Sequence, residues 1–233
     1  MNFTFLRERA VSMITVKHLT KSYGNHVVFK DVHFEIPNGK IAFVMGENGA
    51  GKTTLLKCLL NLESYRGEIR YDGKPLQDVR RDVHILYDDV PLYLNLSGYK
   101  NIELLLARPV KTEQIKETAH AFLPDEVLKA KVKTYSYGQK KKLGLILAVL
   151  SKPKYLFLDE ASNGLDYDTM EDFRKTLLNW AKQMTIIATG HQFEFYAPII
   201  DELFILKEKS LIHLKRFKEE GGDLIEAYKN YIK

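Results

Sequence analysis

The sequence predicts an α/β fold with a parallel sheet at its centre, an antiparallel β subdomain and an inserted α-helical subdomain. Three observations support this prediction. Continuous apolar runs at residues 41–45, 155–158 and 185–188 are typical of strands buried on both faces of a parallel sheet. Alternating apolar and polar residues near the N-terminus indicate antiparallel strands. Residues 97–150 have helical spacing almost throughout, which indicates a helical insertion.

Length and composition indicate a folded, soluble protein. The chain has 233 residues, enough for one substantial core, with 45% hydrophobic and 28% charged residues. Its net charge is +5 and its pI about 9.0, but basic residues are scattered among acidic ones. We interpret the charge as a solvated surface with a modest bias toward membranes. The one cysteine, Cys58, fits a reducing cytosol, and we expect it to pack in the core.

The first residues differ from the rest of the chain. Residues 1–12 show no regular pattern, whereas the first strand pattern begins at Ile14. We therefore expect residues 1–12 to be a dispensable extension, Met13 to be a candidate start, and residues 13–233 to form a single domain. The longest apolar run, residues 143–150, is far shorter than a membrane span, so we expect neither a span nor a secretion signal.

Two alternating segments open the domain. Residues 14–19 and 32–36 predict an antiparallel pair, and the second segment ends at the turn Pro37–Asn38–Gly39. Between the two segments, Tyr23 precedes Gly24. An aromatic ring in this position is either a surface tyrosine or a platform for a purine, and such stacking contributes roughly 1–3 kcal/mol.

A glycine-rich segment lies between an apolar run and a leucine-rich helical segment, residues 53–62. It matches G-x-x-x-x-G-K-[ST], the Walker A pattern of loops whose backbone N–H groups hold phosphates. The glycines free the backbone, the lysine adds a mobile cation, and the helix N-terminus adds its positive end. The segment therefore predicts a polyphosphate site. Its residues are Gly46, Glu47, Asn48, Gly49, Ala50, Gly51, Lys52, Thr53 and Thr54.

Further strands and helices are predicted over the rest of the chain. Further strands are predicted at residues 67–73, 83–86, 155–158, 185–188, 203–206 and 210–214. Helices are predicted at residues 99–107, 113–122, 125–131, 138–150, 168–182 and 223–232. The helical subdomain would occupy about residues 87–152. Asp159 and Glu160 follow a predicted core strand, at the sheet edge where ligands bind in open α/β folds.

The order of the motifs resembles the ATP-binding cassette of ABC transporters. After the phosphate loop come residues 135–139, 155–160, 161–166 and finally His191. Taken singly, a histidine such as His191 is more often a core or surface residue, but the order and the strand-end positions favour a catalytic one. The resemblance covers nearly the whole chain from Met13. It implies a P-loop NTPase core that carries the helical insertion.

The resemblance implies a role for each matching nucleotide contact. Tyr23 would stack on adenine, and the glycine-rich segment with Lys52 would hold the phosphates of ATP. Thr53 and Asp159 would hold Mg²⁺, in part through water. ATP and Mg²⁺ are thus the implied substrate and cofactor.

The resemblance also implies catalytic roles for two further residues beside Lys52. Glu160 would orient and polarise the attacking water, mainly through positioning and electrostatics. His191 would contact the γ-phosphate on the side of Glu160 and sense its presence.

A third set of residues is not expected to contact the nucleotide bound by its own subunit. Ser136, Gly138 and Gln139 open a predicted long helix, and in the family this segment closes over the γ-phosphate bound by a facing subunit. Asp166 would report across the same interface. The resemblance therefore implies a dimer with a second ABC subunit, identical or related.

The chain departs from the family at two positions. Most relatives have a glutamine after the strand at residues 83–86, where this chain has Asp88. A carboxylate can still ligate Mg²⁺, but a negative charge beside Asp159 would make turnover slow or differently coupled. At the position of Tyr137 the family most often has glycine. Tyr135 and Tyr137 are variations associated with drug, lantibiotic or antimicrobial-peptide exporters.

We therefore predict the ATP-hydrolysing motor subunit of an ABC transporter, an exporter, located in the cytoplasm and peripheral on the inner face of the cell membrane. It would dock on integral membrane permease subunits through residues 88–101, which are rich in Tyr and Leu. Packing within the helical subdomain explains that stretch equally well.

Two other functions stay open. The basic pI would suit a soluble ABC ATPase acting on ribosomes or nucleic acid, but such relatives generally carry two cassettes or a long coiled-coil insertion. Neither is present, so we expect no nucleic-acid partner. A weakly hydrolysing regulatory cassette would fit Asp88, but Lys52, Glu160 and His191 argue against it.

Overall fold

Two sheets form the framework of the protein. The structure is a computed structural model and describes residues 13–215, 217–218 and 221–233, so the expected extension at residues 1–12 lies outside the described residues. The strands are β1 (Met13–Tyr23), β2 (His26–Pro37), β3 (Ile41–Gly46), β4 (Arg66–Tyr71), β5 (Val83–Tyr87), β6 (Tyr155–Asp159), β7 (Thr185–Thr189), β8 (Glu202–Lys207) and β9 (Ser210–Leu214).

Helices cover the larger sheet and build the insertion. They are α1 (Lys52–Leu59), α2 (Leu76–Val79), α3 (Gly98–Leu105), α4 (Thr112–His120), α5 (Asp125–Lys129), α6 (Tyr137–Ser151), α7 (Tyr167–Trp180), α8 (Phe193–Tyr196) and α9 (Leu224–Tyr231). The short helices α2 and α8 were not predicted. In the described part of the chain, every helix is too short or too polar to traverse a bilayer.

The larger sheet has the order β5-β6-β7-β3-β8-β9. Strands β5, β6, β7, β3 and β8 are parallel, and β9 pairs antiparallel with β8, which confirms the predicted core and the predicted final strand pair. Both faces are buried: Phe43 and Met45 of β3 face one core, and Ala42 and Val44 face the other. Because parallel strands are covered on both sides, their sequences read as continuous apolar runs.

The smaller sheet has the order β2-β1-β4 and is antiparallel. The predicted boundaries were wrong here, because β1 continues past residue 19 to Tyr23 and β2 begins at His26. Bulges cause the difference: the pairing shifts register several times after Val16, and His18 and Asp31 have φ angles of 52° and 54°. A bulge inserts an extra residue and so interrupts the alternation from which strands are predicted.

The helical subdomain has its own apolar core, formed by Ile102, Leu128, Leu143, Ile146 and Leu147 among others. Its helices occur where the spacing predicts them, with ends displaced by no more than two residues. The two serines Ser97 and Ser136 cap α3 and α6.

Helix α1 ends at Leu59, three residues before the predicted end. Asn61 has a φ of 53°, and the N–H of Leu62 donates to the carbonyl of Lys57 at 2.8 Å. This is the Schellman termination, in which a left-handed residue stops the helix. Cys58 is fully buried, as predicted, and burial raises the pKa of its thiol to about 11.

Candidate nucleotide-binding site

The glycine-rich loop joins the buried strand β3 to helix α1, and its shape requires glycine. Gly49 and Gly51 have φ angles of 82° and 106°, in the left-handed region that side chains rarely adopt. A Cβ on Gly51 would lie 2.5 Å from Cγ1 of Val28, and one on Gly46 would lie 2.6 Å from the carbonyl oxygen of Leu206. The neighbouring strands therefore hold this loop closely from outside.

Lys52 holds its ammonium group against the loop. Its Nζ donates to the carbonyl oxygens of Gly46 at 2.9 Å and Glu47 at 3.0 Å. The side chain is only 6% exposed. Burial lowers the pKa of Lys52, while the carboxylates of Glu160 and Asp159 oppose that shift. A buried cation thus stands at the point where the sequence predicts phosphate.

Asp159 joins the loop to the ends of two parallel strands. Its Oδ1 accepts from the hydroxyl of Thr53 at 3.0 Å and from that of Thr189, at the end of β7, at 2.9 Å. The residue is 8% exposed. Hydroxyl and carboxylate oxygens are hard donors of the type that Mg²⁺ prefers. The residues present therefore fit a magnesium ion between Thr53 and Asp159.

Glu160 and His191 lie beside this pair. Glu160 has a φ of 53°, its N–H donates to the carbonyl of Thr189 at 3.2 Å, and its Oε2 accepts from Nδ2 of Asn163 at 2.9 Å. Nε2 of His191 lies 3.7 Å from Oε1 of Glu160 and 3.4 Å from Nζ of Lys52. The first distance exceeds hydrogen-bond range.

The surroundings of His191 favour its neutral form. An ammonium group can only donate, so a hydrogen bond between Lys52 and Nε2 of His191, which lie 3.4 Å apart, requires that this nitrogen carry no proton. Burial lowers the pKa of His191, the charge of Lys52 lowers it further, and Glu160 acts in the opposite direction. The site therefore combines one cation, two carboxylates and an imidazole whose neutral form is favoured.

Tyr23 lines a groove on the outer side of the glycine-rich loop. The groove has a volume of about 490 Å³, and Tyr23 is 46% exposed in it. Nζ of Lys21 lies 4.2 Å from the centroid of the ring, which places a cation over its face. The structure thus brings this ring to the loop. The other residues of the groove are His26, Val27, Val28, Glu47, Gly49, Ala50, Gly51, Thr54, Leu206, Lys207, Glu208 and Lys209.

Ser136, Gly138 and Gln139 lie at the start of α6. Ser136 and Gln139 form a capping box, in which Oγ of Ser136 accepts from the N–H of Gln139 at 3.2 Å and Oε1 of Gln139 accepts from the N–H of Ser136 at 2.9 Å. Asp166 caps α7 and accepts from the N–H of Thr169 at 2.8 Å. Within the described ranges, no hydrogen bond joins these residues to the glycine-rich loop. Their predicted contact with a second subunit stays a prediction.

Asp88 follows β5 and contacts α6. Its Oδ1 accepts from Nζ of Lys141 at 2.9 Å and from the hydroxyl of Tyr137 at 2.5 Å. Among the described residues, it has no hydrogen bond to Thr53 or Asp159. Its predicted role as a metal ligand stays a prediction.

Sequence reasoning did not select three residues as members of the site: Thr189, Asn163 and Lys141. Thr189 could have been found, because it ends a predicted core strand beside the strand that carries Asp159. Asn163 lies in a quoted motif but received no role. Lys141 gave no signal, because it stands between Lys140 and Lys142 and reads as part of a solvated face.

Comparison with known proteins identifies the family. The family model described as ABC transporter matches residues 29–163. The chain belongs to the ABC transporter family. It is 30% identical over 231 residues to the lantibiotic transport ATP-binding protein SrtF of Streptococcus pyogenes, with 94% of this chain and 97% of SrtF covered. It is also 30% identical over 212 residues to the bacitracin transport ATP-binding protein BcrA of Enterococcus faecalis, with 86% and 68% covered.

A solved structure agrees in fold. An ATP-binding subunit of an ABC transporter superposes with a TM-score of 0.83 at 24% sequence identity, covering 94% of this chain and 99% of that one. The predicted family, fold class and enzyme class are confirmed. The chain is the ATP-binding motor subunit of an ABC transporter, an ATPase that powers transport. Such subunits dimerise and work with membrane permease components.

Proposed function

We propose that this ABC subunit hydrolyses Mg²⁺-bound ATP at the edge formed by the glycine-rich loop, β6 and β7. The observation that carries the proposal is the meeting of Lys52, Thr53, Asp159, Glu160 and His191 at this one edge. Lys52 and the N–H groups of the loop bind the β- and γ-phosphates. Thr53 and Asp159 hold Mg²⁺, which when bound would neutralise part of the negative charge of the phosphates.

Glu160 and His191 act on the γ-phosphate side. Glu160 is held by Asn163 and orients the attacking water. Neutral His191 lies between Lys52 and Glu160, where it contacts the γ-phosphate without adding a second cation. Tyr23 stacks on the adenine in the groove on the outer side of the glycine-rich loop.

A second copy of the cassette completes the site. The N-terminus of the 15-residue helix α6 carries a positive partial charge, and Ser136 at this end is exposed. A Cβ on Gly138 would meet no atom within 4 Å, so a phosphate can approach the backbone there. We assign Ser136, Gly138 and Gln139 to the phosphate of the facing subunit, and Asp166 to the same interface.

The permease docks near the start of the helical subdomain. Tyr93, Leu94 and Leu104 are large apolar side chains that are each about half exposed (54%, 49% and 52%). Exposed apolar groups of this kind favour a protein partner. The names of the relatives SrtF and BcrA support a peptide antibiotic as the transported substrate, and we propose its export, with the chain peripheral on the inner face of the membrane.

The experiment that tests this assignment is the substitution Glu160→Gln. We expect phosphate release to fall at least roughly 100-fold, because the group that orients the water loses its charge, while ATP binding persists. Glu117→Gln, on the surface of α4, is the matched control and keeps the wild-type rate. Equal rates for wild type and Glu160→Gln would refute the catalytic assignment.

A further inference from the structure

We propose that Lys141, Asp88 and Tyr137 form a positioning cluster that holds Glu160 and the start of α6 in their catalytic arrangement. The cluster consists of these three residues and rests on the proposed function. It links three segments that are far apart in sequence: the loop after β5, the start of α6 and the loop after β6. It also gives Asp88 a role other than that of a metal ligand.

Lys141 is a buried cation at the centre of the cluster. It is 2% exposed, although it lies in a run of three lysines. Its Nζ donates to Oδ1 of Asp88 at 2.9 Å, to the carbonyl of Tyr87 at 3.3 Å and to that of Ala161 at 3.4 Å. Three acceptors match the three protons of an ammonium group. Lys141 therefore joins α6 to the segments that follow β5 and β6.

Tyr137 makes the second connection between the same three segments. Its hydroxyl donates to Oδ1 of Asp88 at 2.5 Å and lies 3.3 Å from the carbonyl oxygen of Asn163. Its ring packs on Gly164, where a Cβ would lie 2.5 Å from Cε1 of Tyr137. Gly164 has a φ of 66°, so glycine suits both the backbone and the ring. The two departures from the family pattern, Asp88 and Tyr137, are thus partners of one another.

The cluster reaches Glu160 through Asn163. The carbonyl of Asn163 lies against Tyr137, and its Nδ2 donates to Oε2 of Glu160 at 2.9 Å. A displacement of Tyr137 would therefore move the residue that orients Glu160. Since Tyr137 is also the first residue of α6, the same displacement would move the neighbouring Ser136 and Gly138.

The charge of Asp88 is balanced within the cluster. Burial works to raise the pKa of Asp88, but the hydrogen bonds from Tyr137 and Lys141 outweigh it and keep the pKa below its ordinary value. The carboxylate is therefore ionised and paired with a cation. This pairing explains how the chain accepts an additional negative charge near Asp159, and it leaves Oδ1 of Asp88 engaged by two donors.

Kinetics of two conservative variants of the full chain test the proposal. We expect Tyr137→Phe and Asp88→Asn each to lower kcat for ATP roughly 5- to 10-fold, with the Mg²⁺ concentration for half-maximal activity unchanged within about twofold. Because both act through one contact, the double variant should be no slower than the slower single variant. Tyr231→Phe is the control, since Tyr231 is an exposed residue of the C-terminal helix α9, and it keeps the wild-type kcat.

Three results would overturn the proposal. The first is an increase of tenfold or more in the Mg²⁺ requirement of Asp88→Asn alone, which would make Asp88 a metal ligand. The second is a double variant whose loss equals the product of the single losses. The third is wild-type kcat in both variants while Glu160→Gln is inactive, which would leave the proposed function intact. If Glu160→Gln itself hydrolysed ATP normally, the proposed function would fail first.

Discussion

The glycine-rich loop and the start of α6, to which we assign phosphate contacts, are built in different ways. Around the loop, the charged groups are bonded within the chain: Lys52 to two carbonyls, Asp159 to two hydroxyls and Glu160 to Asn163. At the start of α6, Ser136 bonds to its own helix and Tyr137 is 45% exposed. The contacts that shape the loop lie within one chain, whereas the start of α6 faces outward.

This difference indicates which steps each region controls. Because the groups around the loop belong to one chain, we expect a single chain to bind ATP. The outward-facing helix start can act only when a second phosphate-bearing surface meets it. Binding should therefore depend on the loop alone, and hydrolysis on both regions.

The largest effect on the loop side is expected from Lys52→Met. Removal of the cation takes away charge-assisted hydrogen bonds of about 1.5–3 kcal/mol each, so we expect the Kd for ATP to rise roughly 100-fold. Isothermal titration calorimetry would measure this change. Lys57→Met, on the same helix α1, is the control and should bind as wild type does. Unchanged affinity of Lys52→Met for ATP would contradict the assignment of the glycine-rich loop to the phosphates.

Ser136→Ala is expected to separate the two regions. The substitution should lower the ATPase rate roughly 30-fold, as expected for one lost bond to a charged group, and leave the Kd for ATP of a single chain unchanged. It also removes a helix cap, which costs about 1 kcal/mol of stability. Ser97→Ala removes the cap of α3 and controls for that cost. Similar ATPase losses in both variants would show that the effect is structural.

Tyr23→Ala should have a smaller effect. Loss of base stacking, roughly 1–3 kcal/mol, predicts a rise of about tenfold in the Kd for ATP. Tyr23→Phe keeps the ring and should stay within about twofold of wild type, since stacking does not need the hydroxyl. Fluorescent ATP analogues titrated against the three proteins would rank them. Equal affinities for Tyr23→Ala and wild type would contradict the adenine assignment.

The smallest effect concerns the protonation of His191. Burial and the neighbouring charge of Lys52 lower its pKa, so we expect NMR titration to place it below the ordinary value of about 6.5. The neutral imidazole is then the major form as the pH falls from 8 to 6.5. Glu160→Gln removes the carboxylate that opposes this shift and should lower the pKa further. A value above 6.5 would show that the Glu160 contact dominates over burial and Lys52.

The parts of the molecule that could be predicted from sequence are those with local signals. The residues of the phosphate loop are consecutive, and the strands of the parallel sheet are continuous apolar runs, so both can be read without tertiary information. The ends of β1 and β2 could not be read, because bulges near His18 and Asp31 interrupt the alternation. Local pattern fails where the backbone itself departs from the regular repeat.

The positioning cluster could not be predicted for a different reason. Lys141 is buried by partners that are 53 and 20 residues away in sequence, so its own neighbours give no indication of burial. In the sequence Asp88 reads as an unbalanced charge, because its counter-ion Lys141 is 53 residues away. Lys21 is a similar case: it is 2% exposed and pairs with Glu63 across the fold. Buried lysines of this kind require the tertiary structure.

The most direct test of the central claim is the mass in solution of Glu160→Gln, measured by light scattering with ATP in Mg²⁺ and, separately, in EDTA. The account predicts a shift from the 26.9 kDa chain to a particle of about twice that mass when ATP is present, because Ser136 and the phosphate loop complete each other between two copies. A particle that stays monomeric while calorimetry shows bound ATP would contradict it. That result would assign the facing surface to a different chain or to the membrane partner.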